Sequence, residues 1–309
     1  MTVATSPSAH DIRGHIDRIR ARDILVMSRP RFWLASAVAV HVGFVLATRR
    51  VLPRGDEFLT MAHVALVAGP LLWLAVLAFN DAHDLDSDRL NPRKARSPLV
   101  QGRLMPRQAT RIGLAASLLA VLVAVPLGAL FASGVAATLL LAWAYSAPPL
   151  RLKARAGADV LVNAAAVGVV GPLGGWVAMR GSTDGFPWPI AVIGLLAAAA
   201  LYLPTTIADR DADAAVGIRT TAVVLGSRVT LELGFALWLA SAVLALACAV
   251  ADVVVSPSLV PLHLVIMPIL LVLYRRLLTG RPSFAAITVV AGAYLVPCAA
   301  FVITYVDSI

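Results

Sequence analysis

Charged residues are scarce in this chain of 309 amino acids. Asp, Glu, Lys and Arg make up 14% of it, whereas they account for about 25% of an average soluble domain. Hydrophobic residues make up 60%, and the mean hydropathy is +0.85. This balance excludes an ordinary soluble domain and predicts a protein that crosses a membrane several times.

Cysteine is also scarce, and the two that occur lie inside apolar runs. Cys248 and Cys298 are not spaced like metal ligands and do not suggest a disulfide framework, so we interpret both as small buried hydrophobic residues. A signal-peptide cleavage pattern and a long linker are lacking too. We therefore expect one nine-helix membrane domain over residues 24–309, preceded by a polar N-terminal arm over residues 1–23.

Long apolar runs, by contrast, are abundant. A helix needs about 20 residues to cross a hydrocarbon core of about 30 Å, and most of the runs reach that length. Because backbone groups in lipid must pair within their own segment, the expected fold class is all-α, a polytopic membrane bundle of nine transmembrane helices. The nine runs are 27–48, 58–79, 109–131, 134–145, 158–179, 188–208, 229–250, 259–277 and 284–306. Prolines inside them predict kinks at Pro126, Pro172, Pro204, Pro268 and Pro297.

Acidic residues are fewer than basic ones, and the net charge is +9. All but two of the 26 basic residues are arginines, and 22 of the 26 lie in or within a few residues of the N-terminal arm and the loops after the second, fourth, sixth and eighth runs. Since positive residues concentrate on the cytoplasmic side, we expect the N-terminus and these loops to be cytoplasmic, in the cell (inner) membrane. Nucleic acid is not an expected partner, because the basic residues lie in short loops between apolar runs.

An acidic stretch closes the second apolar run. Asn80, Asp84 and Asp88 are spaced i, i+4, i+8, so a helix would place them on one face. Asp81 lies three residues before Asp84 and could share that face. Carboxylates at this spacing repel one another unless a cation binds them, and Mg²⁺ accepts such oxygen ligands. The other interpretation is a solvated acidic helix end.

A second acidic cluster follows the sixth apolar run, on the same side in the expected topology. Asp209 and Asp213 are spaced i, i+4, with Asp211 between them. The two clusters together contain seven of the 17 acidic residues of the chain. They predict a pair that could hold two or three Mg²⁺ ions against a diphosphate, in preference to two separate solvated loops.

A basic stretch, residues 145–155, lies between the two clusters and on the same expected side. Arg151 and Lys153 could grip phosphate oxygens, the arginine as a fork and the lysine as a point charge. Tyr145 could donate a hydrogen bond from the bundle wall. The alternative interpretation is a routine positively charged loop.

These three stretches resemble the ordered motifs of the UbiA superfamily of intramembrane prenyltransferases. The signature Asn-Asp-x-x-Asp-x-x-x-Asp is met by Asn80, Asp81, Asp84 and Asp88, and Asp-x-x-x-Asp is met by Asp209 and Asp213. The stretch from Tyr145 to Lys153 is similar to the family's Tyr-Ser-x-x-Pro-x-Arg-x-Lys. The chain departs from the family at Ser97, where an arginine often precedes the proline.

The resemblance implies a role for each matching residue. The Mg²⁺ ligands would be Asn80, Asp84, Asp88, Asp209 and Asp213, with Asp84 and Asp209 essential for catalysis. Asp81 would support the first metal cluster. The diphosphate would be bound by Tyr145, Arg151, Lys153 and Arg219. The partners implied are a prenyl diphosphate, a lipophilic acceptor and membrane lipid, and we expect no obligate protein partner.

The expected activity is Mg²⁺-dependent transfer of a prenyl group from its diphosphate to the acceptor. Cations neutralise the leaving diphosphate, and an apolar chamber keeps water from the allyl cation. A terpene cyclase of the same superfamily is the alternative, since its cation needs no acceptor, and a membrane transporter is a remote one. Asp159 and Asn163, spaced i, i+4, could orient Lys153 or the acceptor, or simply begin a helix.

Overall fold

The computed structural model describes residues 19–91, 94–280 and 282–307, and within these ranges the chain is helical and has no named strand. Nine of the helices in these ranges are long and apolar enough to cross a membrane, which confirms the predicted fold class. The helices are α1 Ala21–Ser28, α2 Arg31–Thr48, α3 Asp56–His83, α4 Leu85–Leu90, α5 Pro106–Leu127, α6 Ala129–Ser146, α7 Ala158–Arg180, α8 Trp188–Ala215, α9 Thr221–Val250, α10 Pro257–Leu278 and α11 Phe284–Asp307. The spanning set is α2, α3 and α5 to α11.

Several of the predictions from the sequence concern residues that lie partly outside the described ranges. Residues 1–18 of the predicted N-terminal arm are among them, and α1 already begins at Ala21, inside the proposed arm. Four of the arginines counted for the orientation also lie outside: Arg13, Arg18, Arg93 and Arg281. The orientation of the chain in its membrane therefore stays a prediction from the arginine distribution.

Helix ends differ from the predicted runs where polar residues continue a helix. The helix α8 runs seven residues beyond the apolar run and carries the second acidic cluster within it. The helix α9 begins at Thr221, eight residues before the apolar run, and is interrupted at Gly226, whose φ of 77° is non-helical. Hydropathy indicates where contact with lipid ends. The backbone hydrogen bonds of a helix can continue through polar residues beyond that point, so the helix is longer than its apolar run.

Proline positions explain most of the irregular turns. Pro126 lies in the 3₁₀ turn Val125–Leu127, and Gly128 follows with a φ of 103°, so the third and fourth runs separate here rather than near residue 133. A π-helical turn, Ala166–Val170, immediately precedes the segment of α7 that contains Pro172. A wider turn accommodates a proline ring that lacks an N–H donor. Pro204, Pro268 and Pro297 remain inside continuous helices.

Glycines allow α2, α7 and α8 to pack with their backbones in contact. A Cβ atom on Gly43 of α2 would overlap the carbonyl oxygen of Pro172, and one on Gly175 of α7 would overlap that of Val40. Gly168 of α7 faces the backbone of Gly194 in α8 in the same way. Small residues favour close helix association in a membrane because van der Waals packing is the main attraction there.

We expect Gly43→Ala to destabilise the protein by about 1–3 kcal/mol or more, because the added methyl group overlaps a backbone that cannot move freely. The matched control is Gly134→Ala in α6, where a Cβ atom has no neighbour within 4 Å. That change should be neutral or slightly stabilising, since alanine favours helix over glycine. Thermal unfolding in detergent measures both, and equal midpoints would contradict the proposed backbone contact.

Candidate active site

A cavity of about 200 Å³ lies where the ends of α3, α6 and α8 meet. Seven of the residues predicted from the sequence line it: Asn80, Asp84, Asp88, Tyr145, Lys153, Asp209 and Asp213. The two acidic clusters, more than 100 residues apart in the chain, therefore face each other across one small space. This placement joins the motifs at one end of the bundle.

The first acidic cluster does not lie on one continuous helix. The helix α3 ends at His83, Asp84 has a φ of −112° and a ψ of 7°, and α4 then begins at Leu85. The expected single face is interrupted at this point. Asn80, Asp84 and Asp88 nevertheless all line the cavity.

Asp81 does not line the cavity and instead contacts Arg29, the residue that follows α1. Its side chain is 1% exposed, and its Oδ1 atom accepts a bond of 2.5 Å from Nη2 of Arg29. The ammonium of Lys94 lies 3.5 Å from the same oxygen. Asp81 therefore anchors the segment that carries the first cluster, and its own oxygen is already occupied.

The helix α1 is attached to the loop after α4 by two further contacts. Asp23, which is buried, accepts a hydrogen bond of 2.8 Å from Nε of Arg103. Met27 is fully buried beside Ala78 and Leu104. The helix α1 thus holds both the first acidic cluster and the loop that supplies Lys94.

Both lysines of the chain lie in this cavity, although 24 of its 26 basic residues are arginines. Nζ of Lys153 is 2.6 Å from Oδ2 of Asp84 and 3.2 Å from Oδ1 of Asn80. Nζ of Lys94 is 2.9 Å from Oδ2 of Asp88. Each lysine therefore neutralises one acid of the first cluster.

Burial and the neighbouring opposite charge shift the pKa values of these ion-paired groups in opposite directions. Burial raises the pKa of Asp88, and the neighbouring ammonium of Lys94 acts in the opposite direction. Burial likewise lowers the pKa of Lys153, while the carboxylate of Asp84 acts to raise it. Desolvation is the larger effect in both cases, so the charged forms depend on the partner that faces them.

Arg151 and Arg219, the two predicted arginine contacts, are placed differently. Nη2 of Arg151 lies 3.4 Å from Oδ1 of Asp84, at the edge of the cavity. Arg219 does not line the cavity, its side chain is exposed, and its backbone forms an isolated bridge with Arg155. The contact of Arg219 with a diphosphate stays a prediction.

Three hydroxyl-bearing residues of α8 line one wall of the cavity but were not among the predicted site residues: Tyr202, Thr205 and Thr206. Tyr202 and Thr205 precede Asp209 by seven and four residues, so helical spacing could have found them. The hydroxyl oxygens of Tyr145 and Tyr202 are 3.1 Å apart. This wall adds hydroxyl groups beside the second acidic cluster.

Lys94 was also missed as a cavity residue, and its neighbours explain the departure at Ser97. Ser97 is buried, whereas Arg96 is exposed to solvent. The position that often carries an arginine in the family therefore supplies no cation here. Lys94, three residues earlier, supplies one instead.

The cavity supplies oxygen donors suited to a divalent metal. Within the described residues, no three His, Cys, Asp or Glu side chains are grouped closely enough to form a metal site on their own. Asp84 and Asp88 instead point to lysines. Five carboxylates and two side-chain amides still line the cavity, those of Asp84, Asp88, Asp159, Asp209, Asp213, Asn80 and Asn91. Mg²⁺ prefers such oxygen ligands together with water and phosphate oxygens.

The fold and the cavity define a multi-pass helical membrane protein with an acid-lined site at one end of its bundle. The chain belongs to the UbiA prenyltransferase family, whose model matches residues 35–291. It is accordingly a membrane prenyltransferase, as the resemblance predicted.

Individual relatives agree with this assignment. The chain is 33% identical to a lycopene elongase/hydratase of Halobacterium salinarum over 231 residues, which is 72% of this chain and 78% of the relative. It is 29% identical to a protoheme IX farnesyltransferase of an Anaeromyxobacter species over 302 residues, 96% of this chain and 87% of the relative. A UbiA homolog from Archaeoglobus fulgidus, solved with GPP and Mg²⁺, has the same fold, with a TM-score of 0.70 and 21% identity over 93% of this chain and 98% of that one.

We expect Arg29→Met to destabilise the protein by about 3 kcal/mol, because it leaves the buried carboxylate of Asp81 with only the more distant Lys94. The matched control is Arg50→Met, which removes the more exposed ion pair with Glu57. That change should cost less than about 1 kcal/mol. Equal unfolding midpoints for the two variants would show that the pair with Asp81 is not structural.

Proposed function

We propose that this prenyltransferase uses Mg²⁺ to ionise a prenyl diphosphate in the cavity and transfers the prenyl group to a lipophilic acceptor. The observation that carries the proposal is the convergence of Asp84 and Asp209 on one small cavity. Oxygen ligands from two motifs that are distant in the sequence could together bind several Mg²⁺ ions, and these ions would in turn bind the diphosphate. The GPP and Mg²⁺ bound to the Archaeoglobus fulgidus homolog support the same chemistry.

The proposed metal ligands are Asn80, Asp84, Asp88, Asp209 and Asp213. Bound Mg²⁺ would neutralise the charge that develops on the leaving diphosphate. Asp81 would act indirectly, since it holds the segment of the first cluster through Arg29. In the structure, Lys153 and Lys94 balance part of the negative charge of Asp84 and Asp88. A bound Mg²⁺ would replace the lysines as the partner of these carboxylates.

The proposed diphosphate contacts are Lys153, Arg151, Tyr145 and Arg219, and we add Lys94 to them because it lines the same cavity. Lys153 and Arg151 both lie beside Asp84, so an anion held there meets two cations. Arginine offers two parallel donors to phosphate oxygens, and lysine offers a compact charge. Tyr145 is positioned to donate from the cavity wall.

The prenyl tail would extend from this polar end into the apolar part of the bundle. The rings of Tyr145 and Tyr202 lie beside the second cluster, where an allylic cation would form. Aromatic faces attract cations, and they do so more strongly where water is excluded. The cavity thus combines charge for the leaving group with aromatic surface for the carbon left behind.

The acceptor is proposed to be a large lipophilic molecule. The curated relatives are named for two such acceptors, lycopene and protoheme. The arginine distribution favours a cell (inner) membrane location with the N-terminus and the mouth of the cavity facing the cytoplasm. A polar diphosphate could then enter from the cytoplasm while the acceptor and the tail remain among the helices.

We expect Asp84→Asn or Asp209→Asn to lower Mg²⁺-dependent diphosphate release by about 10²–10³-fold or more, because stabilisation of the leaving group is lost. The control is Asp211→Asn, since Asp211 is exposed and does not line the cavity. It should retain near-normal turnover. Diphosphate release from geranyl diphosphate by the purified protein, with a lipophilic acceptor such as lycopene supplied, gives the rates, and circular dichroism checks the fold. An Asp84 or Asp209 variant with near-normal, Mg²⁺-dependent activity would remove the proposal.

A second expectation concerns the metal and the acceptor. Chelation with EDTA should abolish diphosphate release, and added Mg²⁺ should restore it, because the facing acids need a divalent cation to bind the leaving group. Release should also stay slow until a lipophilic acceptor, such as lycopene, is supplied. Formation of a hydrocarbon or terpene alcohol from the prenyl diphosphate alone would instead support a cyclase.

A further inference from the structure

Two loops at the mouth of the cavity are joined to each other by backbone and side-chain contacts. The loop between α6 and α7 contains Lys153, and the loop between α8 and α9 contains Thr220. Their backbones form a parallel bridge between Arg155 and Arg219. The backbone N–H of Gly157 donates to Oγ1 of Thr221 over 2.8 Å.

Asp159 stabilises the contact between these two loops, which we call the junction. Its Oδ2 atom accepts a bond of 2.8 Å from the backbone N–H of Thr221, and its Oδ1 atom accepts a short bond from the hydroxyl of the same residue. Asp159 is 1% exposed and Thr221 is 2% exposed. The carboxylate also lies in the first turn of α7, where the helix dipole favours negative charge.

Both oxygens of Asp159 are therefore occupied by Thr221, and the residue is not arranged as a metal ligand. Its position on the cavity wall comes from the junction it holds. A buried carboxylate with two specific donors is costly to disturb, because the loss of either donor leaves a desolvated acceptor. This cost makes the junction stiff.

Each of the two loops contacts a different acidic cluster. On one side, Lys153 contacts Asp84 of the first cluster. On the other, the hydroxyl of Thr220 donates to Oδ2 of Asp213 in the second cluster over 3.4 Å. The hydrogen bonds between Asp159 and Thr221 lie a few residues along the chain from both contacts. They therefore connect the loop that carries Lys153 to the loop that carries Thr220.

We propose that Asp159 and Thr221 form a positioning pair that sets the spacing between the cation-bearing loop and the second acidic cluster. The inference deepens the proposed function and rests on it, because the spacing matters only if both clusters bind one metal–diphosphate unit. Asn163, one turn further along α7, adds to it by donating a bond of 2.7 Å to the hydroxyl of Tyr145. One helix thereby fixes three parts of the cavity wall.

The test compares two substitutions of Thr221, one that removes its hydroxyl and one that retains it. Thr221→Val keeps the shape and removes the hydroxyl, whereas Thr221→Ser keeps it. The control is Tyr274→Phe, which removes another buried hydrogen bond, that of 2.8 Å to the carbonyl oxygen of Ala200 on α8, away from the cavity. Calorimetric titration of the full chain with inorganic pyrophosphate and Mg²⁺ gives affinities, and thermal unfolding gives stabilities.

We expect Thr221→Val to bind pyrophosphate about 10- to 100-fold more weakly, the range seen when partners that orient metal ligands are removed. The KM for the prenyl diphosphate should rise along with this loss. Thr221→Ser should recover the affinity, and Tyr274→Phe should lose stability with its affinity unchanged. If Thr221→Val and Tyr274→Phe lose stability alike and both retain full affinity, the pair is only structural and the inference is overturned.

Hydrogen exchange separates this inference from the proposed function, since it needs no ligand. In Thr221→Val the amides of residues 150–157 and 216–220 should exchange faster together, while those of α10 stay protected. Loosening of one segment without the other overturns the coupling. If Thr221→Val does not fold, Asp159→Asn takes its place in both measurements, because Asn retains the size and one acceptor oxygen. A wild-type protein that binds no pyrophosphate with Mg²⁺ would overturn the proposed function and, with it, the catalytic meaning of the pair.

Discussion

The main electrostatic constraint on this structure is the repulsion among the carboxylates that line one cavity of about 200 Å³. Like charges in a poorly solvated site are unfavourable by several kcal/mol unless opposite charges compensate them. Lys153 and Lys94 provide that compensation at Asp84 and Asp88. Under the proposed function the same repulsion would favour the binding of a divalent cation, and the two lysines would stabilise the acids before the metal binds.

Such a site needs rigid support, and the packing of the bundle supplies it. Glycine contacts bring α2, α7 and α8 close enough for their backbones to touch. The helix α8 carries the second cluster, and α7 begins at the junction held by Asp159. Close helix packing in lipid thus extends directly into the placement of charged groups at the end of the bundle.

Hydropathy and motif spacing anticipated much of this arrangement for clear physical reasons. The cost of unpaired backbone groups in lipid forces helices, so nine apolar runs predict nine spanning helices. Helical spacing brought Asp209 and Asp213 to one side, because α8 stays helical through both. Asp81 does not share the cavity with Asn80, although both lie in the same continuous helix. Adjacent residues of a helix point about 100° apart around its axis, and Asp81 pairs with Arg29 instead.

The loop after α4 shows why the rest could not be predicted. The path of this loop is set by contacts with distant residues: Leu99 and Leu104 pack beside Met27, and Arg103 binds Asp23. No local pattern reveals that this path turns Lys94 inward and leaves Arg96 in solvent. With a buried serine at position 97, the cavity still receives one cation from the loop, because Lys94 reaches Asp88 from three residues upstream. The fold therefore brings a positive charge to this part of the cavity from a neighbouring position in the chain.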